Sequence, residues 1–149
     1  MNRKSRLDAF CVGLLFAALA STGCDTGPKL VKAGGTVKYK NAPIPGADIL
    51  MMSDASGPPS IARTDDQGRF FVKTDGRPGA PIGSFRVAIT AARNKRPVPP
   101  EQAASLTSEQ IAANREDLIP IRYNNFESSG LKATVSEEPA KNDFTFDLK

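Results

Sequence analysis

Ile61-Ala62-Arg63-Thr64-Asp65-Asp66-Gln67-Gly68-Arg69-Phe70-Phe71-Val72-Lys73 is the stretch that sets the fold class. Ile61 to Thr64 reads as a short strand and Arg69 to Lys73 as its return, with Phe70 and Val72 pointing inward. Between them, Asp65, Asp66 and Gln67 suit a turn, and Gly68 supplies a positive φ where the second strand begins. The segment is a β-hairpin, and its period of two recurs on both sides.

Downstream, Ser84 to Ala91 alternates most clearly, with Phe85, Val87 and Ile89 on one face and Arg86, Ala88 and Thr90 on the other. Upstream, Gly35 to Lys40 places Val37 and Tyr39 opposite Lys38 and Lys40, and Ala47 to Met52 places Ile49 and Met51 together. Asn41 to Gly46, Ser53 to Ser60 and Thr74 to Gly83 are polar or Gly/Pro-rich connections. Leu131, Ala133 and Val135 form a sixth strand. Phe144, Phe146 and Leu148 form a seventh, expected to pack in the core.

The segment between the fifth and sixth strands breaks the pattern. Arg93 to Pro100 carries Arg93, Lys95, Arg96 and three prolines. Thr107-Ser108-Glu109-Gln110 then reads as a capping box, flanked by Leu106 and Ile111 in staple positions. It predicts one short helix from Ser108 to Asp117, ended by Ile119-Pro120. With few apolar residues, that helix is expected to pack on its own sandwich; docking a partner is the alternative. Seven short strands with closely spaced turns and one helical insertion predict an all-β, two-sheet sandwich.

Four stretches in order resemble the carboxypeptidase regulatory-like domain. They are Gly35-Thr36-Val37, Pro43-Ile44-Pro45-Gly46-Ala47, Thr64-Asp65-Asp66-Gln67-Gly68-Arg69-Phe70 and Gly83-Ser84-Phe85-Arg86-Val87. The resemblance implies a seven-stranded transthyretin-like (prealbumin-like) β-sandwich over residues 34–149. The tail is similar to that of short exported lipoproteins of planctomycete type, in Ile119 to Asn125, Ser129-Gly130-Leu131 and Asn142 to Leu148. Those resemblances imply a fold and a location but no reaction. Hydrolases of the transthyretin-like fold use histidines that this chain lacks.

The location has its own signal. Arg3, Lys4 and Arg6 precede an unbroken apolar or small-residue run of eleven, Phe10 to Ala20, and then Ser21-Thr22-Gly23-Cys24. Such a run is too short for a membrane span, which needs about 20 residues, and it suits a secretory signal. The Gly23-Cys24 junction resembles a lipoprotein processing site, although Ser21 stands where an aliphatic residue is usual. The expectation is a signal peptide at 1–23, a lipidated Cys24 with a tether at 24–33, and export to the periplasm or cell surface on a membrane. Cys11 falls within the signal, so cleavage leaves Cys24 without a cysteine to pair with, and acylation removes a thiol otherwise exposed to oxidation.

Composition narrows the chemistry. The chain has 149 residues, no histidine, two cysteines and a formal charge of +4. The signal holds three of the basic residues against Asp8, so the remainder is near +2, which gives no argument for nucleic acid. Without histidine, a Ser-His-Asp or Cys-His site and a histidine-ligated zinc are excluded. Asp65-Asp66 and Glu137-Glu138 are explained as turn residues, and no metal or cofactor is expected. An enzyme using carboxylates alone would need two acids facing each other in a cleft.

These observations predict a non-enzymatic, monomeric envelope module that holds the membrane through its lipid and contacts envelope proteins. The alternative is a carbohydrate or wall-polymer module using the loops at one end of the sandwich. The candidate contacts are Arg93, Lys95 and Arg96 on the Pro-rich segment, which suit anionic partners. Tyr123 and Asn124 join them because an aromatic ring beside an amide suits a sugar; the simpler reading of Tyr123 is an inward turn residue.

Overall fold

Alternating apolar residues can bury one face of a strand only against a second layer, and the chain builds that layer from distant segments. The structure, a computed structural model, describes residues 27–149. The signal peptide and Cys24 lie outside the described residues. The strands are β1 (Leu30–Val31), β2 (Gly34–Tyr39), β3 (Ala42–Pro43), β4 (Asp48–Ser53), β5 (Ser60–Arg63), β6 (Arg69–Phe71) and β7 (Lys73–Thr74). They continue with β8 (Arg77–Pro78), β9 (Ala80–Pro81), β10 (Gly83–Thr90), β11 (Ala92–Asn94), β12 (Arg115–Asp117), β13 (Leu131–Val135) and β14 (Asp143–Leu148). Three short helices accompany them: α1 (Pro100–Ala103), α2 (Ser108–Asn114) and α3 (Phe126–Ser129).

Two sheets dominate. One has six strands in the order β13-β10-β4-β5-β7-β8, and the other has β14, β2, β3 and β6. Ile49, Met51, Phe85, Val87 and Ile89 from the first sheet join Val37, Phe70, Phe146 and Leu148 from the second in one buried cluster. Phe70 stacks on Phe146 with ring centroids 5.9 Å apart. The fold is thus mostly β and layered. It carries more strands than the alternation marks, because short two- and three-residue strands line the turns.

Three features depart from the sequence reading. The return strand of the hairpin is split: β6 pairs with β2 in one sheet, whereas β7 pairs with β5 in the other. Val72 sits at this corner with its side chain buried. The period of two runs unbroken through such a bend, so alternation alone cannot reveal it. The final strand contributes core side chains, as expected, but lies at the edge of its sheet and pairs in parallel with β2.

The third departure is helical. Among the described residues three helices replace the single one expected, and α2 ends at Asn114 instead of Asp117. Arg115–Asp117 leaves the helix because it pairs with Ala92–Asn94 as an antiparallel ribbon. α3 is one turn long, started by Asn125 accepting from the Glu127 N–H and stopped by Gly130 in the left-handed conformation.

The hairpin turn forms as expected. Gly68 has φ +72°. Asp65 fixes the turn through Oδ1, which accepts from the N–H groups of Gln67 and Arg69, both at 2.9 Å. Asp65 thus shapes the turn, and Asp66 lies exposed within it. Among the described residues, no group of three acidic or thiol side chains is placed to hold a metal ion.

Candidate interaction surfaces

Ala91, just after β10, is buried, and beyond it the chain leaves the core. From Ala92 to Asp117 no residue is buried, and neither α1 nor α2 contributes one. The segment is an arm. The expectation that the helix packs on the sandwich is therefore corrected: α2 has too few apolar residues to do so, and Ile111 is 51% exposed.

The arm is nonetheless ordered by local bonds. Its base is the β11–β12 ribbon, extended by the Leu118 N–H donating to the Ala91 carbonyl at 2.8 Å. Its tip is the capping box: Thr107 Oγ1 accepts from the Gln110 N–H at 3.3 Å, and Gln110 Oε1 accepts from the Thr107 N–H at 2.9 Å. Asn114 joins the two ends. Its Oδ1 accepts from the Arg96 N–H at 2.9 Å, and its Nδ2 donates to the Arg96 carbonyl at 3.0 Å.

Two of the basic candidates are engaged in this scaffold. Arg93 Nε donates to Glu116 Oε2 at 2.8 Å across the ribbon, and that bond raises the arginine pKa and lowers that of the glutamate. Lys95 Nζ donates to the Ala113 carbonyl at 3.0 Å. Arg96 is exposed and held by its backbone. With Lys95, Val98, Leu106, Gln110 and Ala113, it lines a cleft of about 650 Å³ within the arm. The basic run is thus partly neutralised, and the arm's free surface is mixed rather than cationic.

Tyr123 and Asn124 are adjacent in sequence but differ in role. Tyr123 is buried at 5% exposure. Its hydroxyl accepts from the Lys149 N–H at 2.9 Å and from the Arg122 guanidinium at 2.8 Å, and donates to the Lys149 carbonyl at 3.1 Å. The ring faces the core and offers no platform to a sugar. Asn124 is half-buried, and its Oδ1 is enclosed without a hydrogen-bond partner. It forms one wall of a groove of about 770 Å³ on the outer face of the six-stranded sheet.

That groove is a surface the sequence reading did not single out. The Ile119–Ser129 region covers the sheet near β10, as the bond from Ser129 Oγ to the Val87 carbonyl at 2.6 Å shows. Toward β5 and β7 the face is open. Leu50, Ile61 and Phe71 lie there with Asp48, Arg63 and Lys73. Ile61 is 54% exposed and Phe71 79% exposed. The signal was available: once Phe70 and Val72 point inward, Phe71 between them must point outward.

The acidic groups do not converge. Among the described residues every Asp and Glu is exposed except Glu116, which is half-buried against Arg93. Asp48 pairs with Arg63 at 2.9 Å, Glu138 with Lys141 at 3.0 Å and Glu137 with Lys29 at 3.9 Å. No helix among the described residues is long and apolar enough to cross a membrane. No protein-family model, no curated protein and no solved structure matches this chain.

Proposed function

We propose that this protein is an exported, lipid-anchored module of the cell envelope that binds another protein and catalyses no reaction. Its frame would be a transthyretin-like sandwich of the carboxypeptidase regulatory-like kind, with Cys24 as the tether. The observation that carries the binding role is the arm, in which the segment from Ala92 to Asp117 is held in shape by a ribbon, a capping box and the Asn114 clamp without burying a residue. Ordering a chain costs about 1–2 kcal/mol per residue in backbone entropy, and here core burial offsets none of it. A partner surface offers the compensating contacts.

The carbohydrate or wall-polymer alternative keeps only Asn124 of its two named residues beside a groove, because the Tyr123 ring is buried. Protein binding is the better-supported reading.

Two variants test it. Asn94 pairs with Arg115 in the ribbon, so an Asn-Gly turn can replace residues 95–114 and close a shorter hairpin. That chain is expected to keep its unfolding midpoint and to lose its crosslinked neighbours in intact cells. Unchanged neighbours would place the contact elsewhere. Cys24→Ser is expected to release the protein into the soluble fraction without unfolding it, and retention on the membrane would refute the tether.

A further inference from the structure

We propose that the end of the sandwich nearest Cys24 lies on the bilayer surface, with Phe71 entering the lipid interface and the base of the arm held away from it. The proposal rests on the Cys24 anchor of the preceding reading, and covalent geometry carries it from there. Cys24 and Gly27 are separated by three Cα–Cα steps of about 3.8 Å, so Gly27 lies within about 11 Å of the acylated residue. Gly27 is already seated on the domain, because a Cβ on it would collide with the Arg77 guanidinium. Leu30 pairs with Pro81, and Val31 and Ala33 are buried. The chain free to act as a tether is therefore short, and one end of the sandwich stays at the membrane.

Strand register shows what that end carries. β2 begins there at Gly34, and its neighbour β6 ends there at Phe71, the partner of Gly34. Phe71 is exposed, and with Lys32, Pro78, Gly79, Pro139 and Asp143 it lines a groove of about 410 Å³. Ile82, also exposed, follows Pro81. The charges of this end nearly cancel. Lys29 pairs with Glu137 at 3.9 Å and Lys141 with Glu138 at 3.0 Å, while Lys32, Lys73 and Arg77 stand against Asp75 and Asp143. An exposed ring in near-neutral surroundings suits the interface of a zwitterionic bilayer. One ring is too little to recruit a free protein, but the anchor keeps it at high effective concentration beside the lipid.

The same strands set the arm at the opposite end. β10 starts at Gly83, close to the Leu30–Pro81 pair, and runs about 23 Å to Thr90 at about 3.3 Å per residue. The arm begins beyond it, at Ala92. A domain docked through Phe71 thus presents the base of its arm to partners at about the length of β10 from the lipid.

The chain contains no tryptophan, so Phe71→Trp and Ile121→Trp each introduce a single fluorophore at an exposed site. Ile121 reports the far end, three residues after Leu118, whose N–H bonds the Ala91 carbonyl at the base of the arm. The full chains, extracted from cell membranes, are reconstituted on phosphatidylcholine vesicles with and without brominated acyl chains, and flotation of the vesicles is followed alongside fluorescence. The expected result is blue-shifted emission and strong quenching by the brominated lipid for Phe71→Trp, and neither for Ile121→Trp. Equal quenching at the two sites, or a Phe71→Trp emission that stays that of a water-exposed ring while the chain floats, would overturn the docking and leave the anchor standing. A chain that does not float with the vesicles would overturn the anchor and the docking with it.

Discussion

The carboxylate of Asp65 grips Arg69 at two points: Oδ1 accepts from its backbone N–H and Oδ2 from its guanidinium Nε, each at 2.9 Å. The backbone bond from Arg69 is the largest influence on the acid, and with the side-chain and Gln67 bonds it lowers the pKa below the usual 3.8. A lowered carboxylate pKa stabilises the fold above the unfolded value, and that stabilisation is lost as pH falls through the folded value. The group is exposed, so the effect is small. Asp65→Asn is expected to lower the unfolding midpoint at neutral pH and to converge with the parent protein in acid, as the pH falls through the lowered folded value of Asp65. Thermal unfolding followed from neutral to acid pH checks this, and a constant difference would contradict it.

Gly35 admits no side chain. Its φ is +155°, and a Cβ there would collide with the Phe144 carbonyl on the parallel neighbour β14. Gly35→Ala should therefore part β14 from β2 and cost roughly 2–4 kcal/mol, the range of severe core and backbone lesions. Denaturant titration measures it; a loss below about 1 kcal/mol would show that the sheet shifts freely.

A buried hydroxyl relay ties the corner strand to the rest of its sheet. Ser60 and Thr74 are fully buried, and their oxygens lie 2.8 Å apart. Thr74 Oγ1 donates to the Gly79 carbonyl at 2.8 Å, which uses its only proton, so Ser60 is the donor to Thr74. Thr74→Val leaves two buried groups unpaired and should cost about 1–3 kcal/mol for each. Ser60→Ala removes one donor while Thr74 still bonds Gly79, so its cost should be smaller. Equal losses would contradict this assignment.

The arm should respond locally. Thr107→Ala removes the capping oxygen and should weaken α2 by about 1 kcal/mol, near fivefold in local opening. Because α2 buries nothing, the global midpoint should not move. Hydrogen exchange at residues 108–114 checks the first statement and thermal unfolding the second.

Much of this fold is legible in the sequence where alternation and turn chemistry agree. Phe85, Val87 and Ile89 are all buried, as their spacing requires, and Gly68 takes the positive φ its turn needs. The sheet change at Val72 was hidden because the alternation continues through it. Strand β12, Arg115-Glu116-Asp117, carries no apolar residue, so only its pairing with β11 defines it. The parallel partnership of β14 with β2 joins opposite ends of the domain and has no local signal. Tyr123 and Asn124 read as a pair in the sequence, but the backbone at Ile121–Asn124 turns one into the core and the other toward a groove.

The central claim is that the arm binds a protein partner. The most direct measurement places p-benzoylphenylalanine at Ile111, irradiates intact cells and identifies the adduct of the full chain by mass spectrometry. The account expects one recurrent protein adduct, lost when residues 95–114 are replaced by the short turn. Scattered adducts, or the same adduct from a distant position such as Ile121, would contradict it.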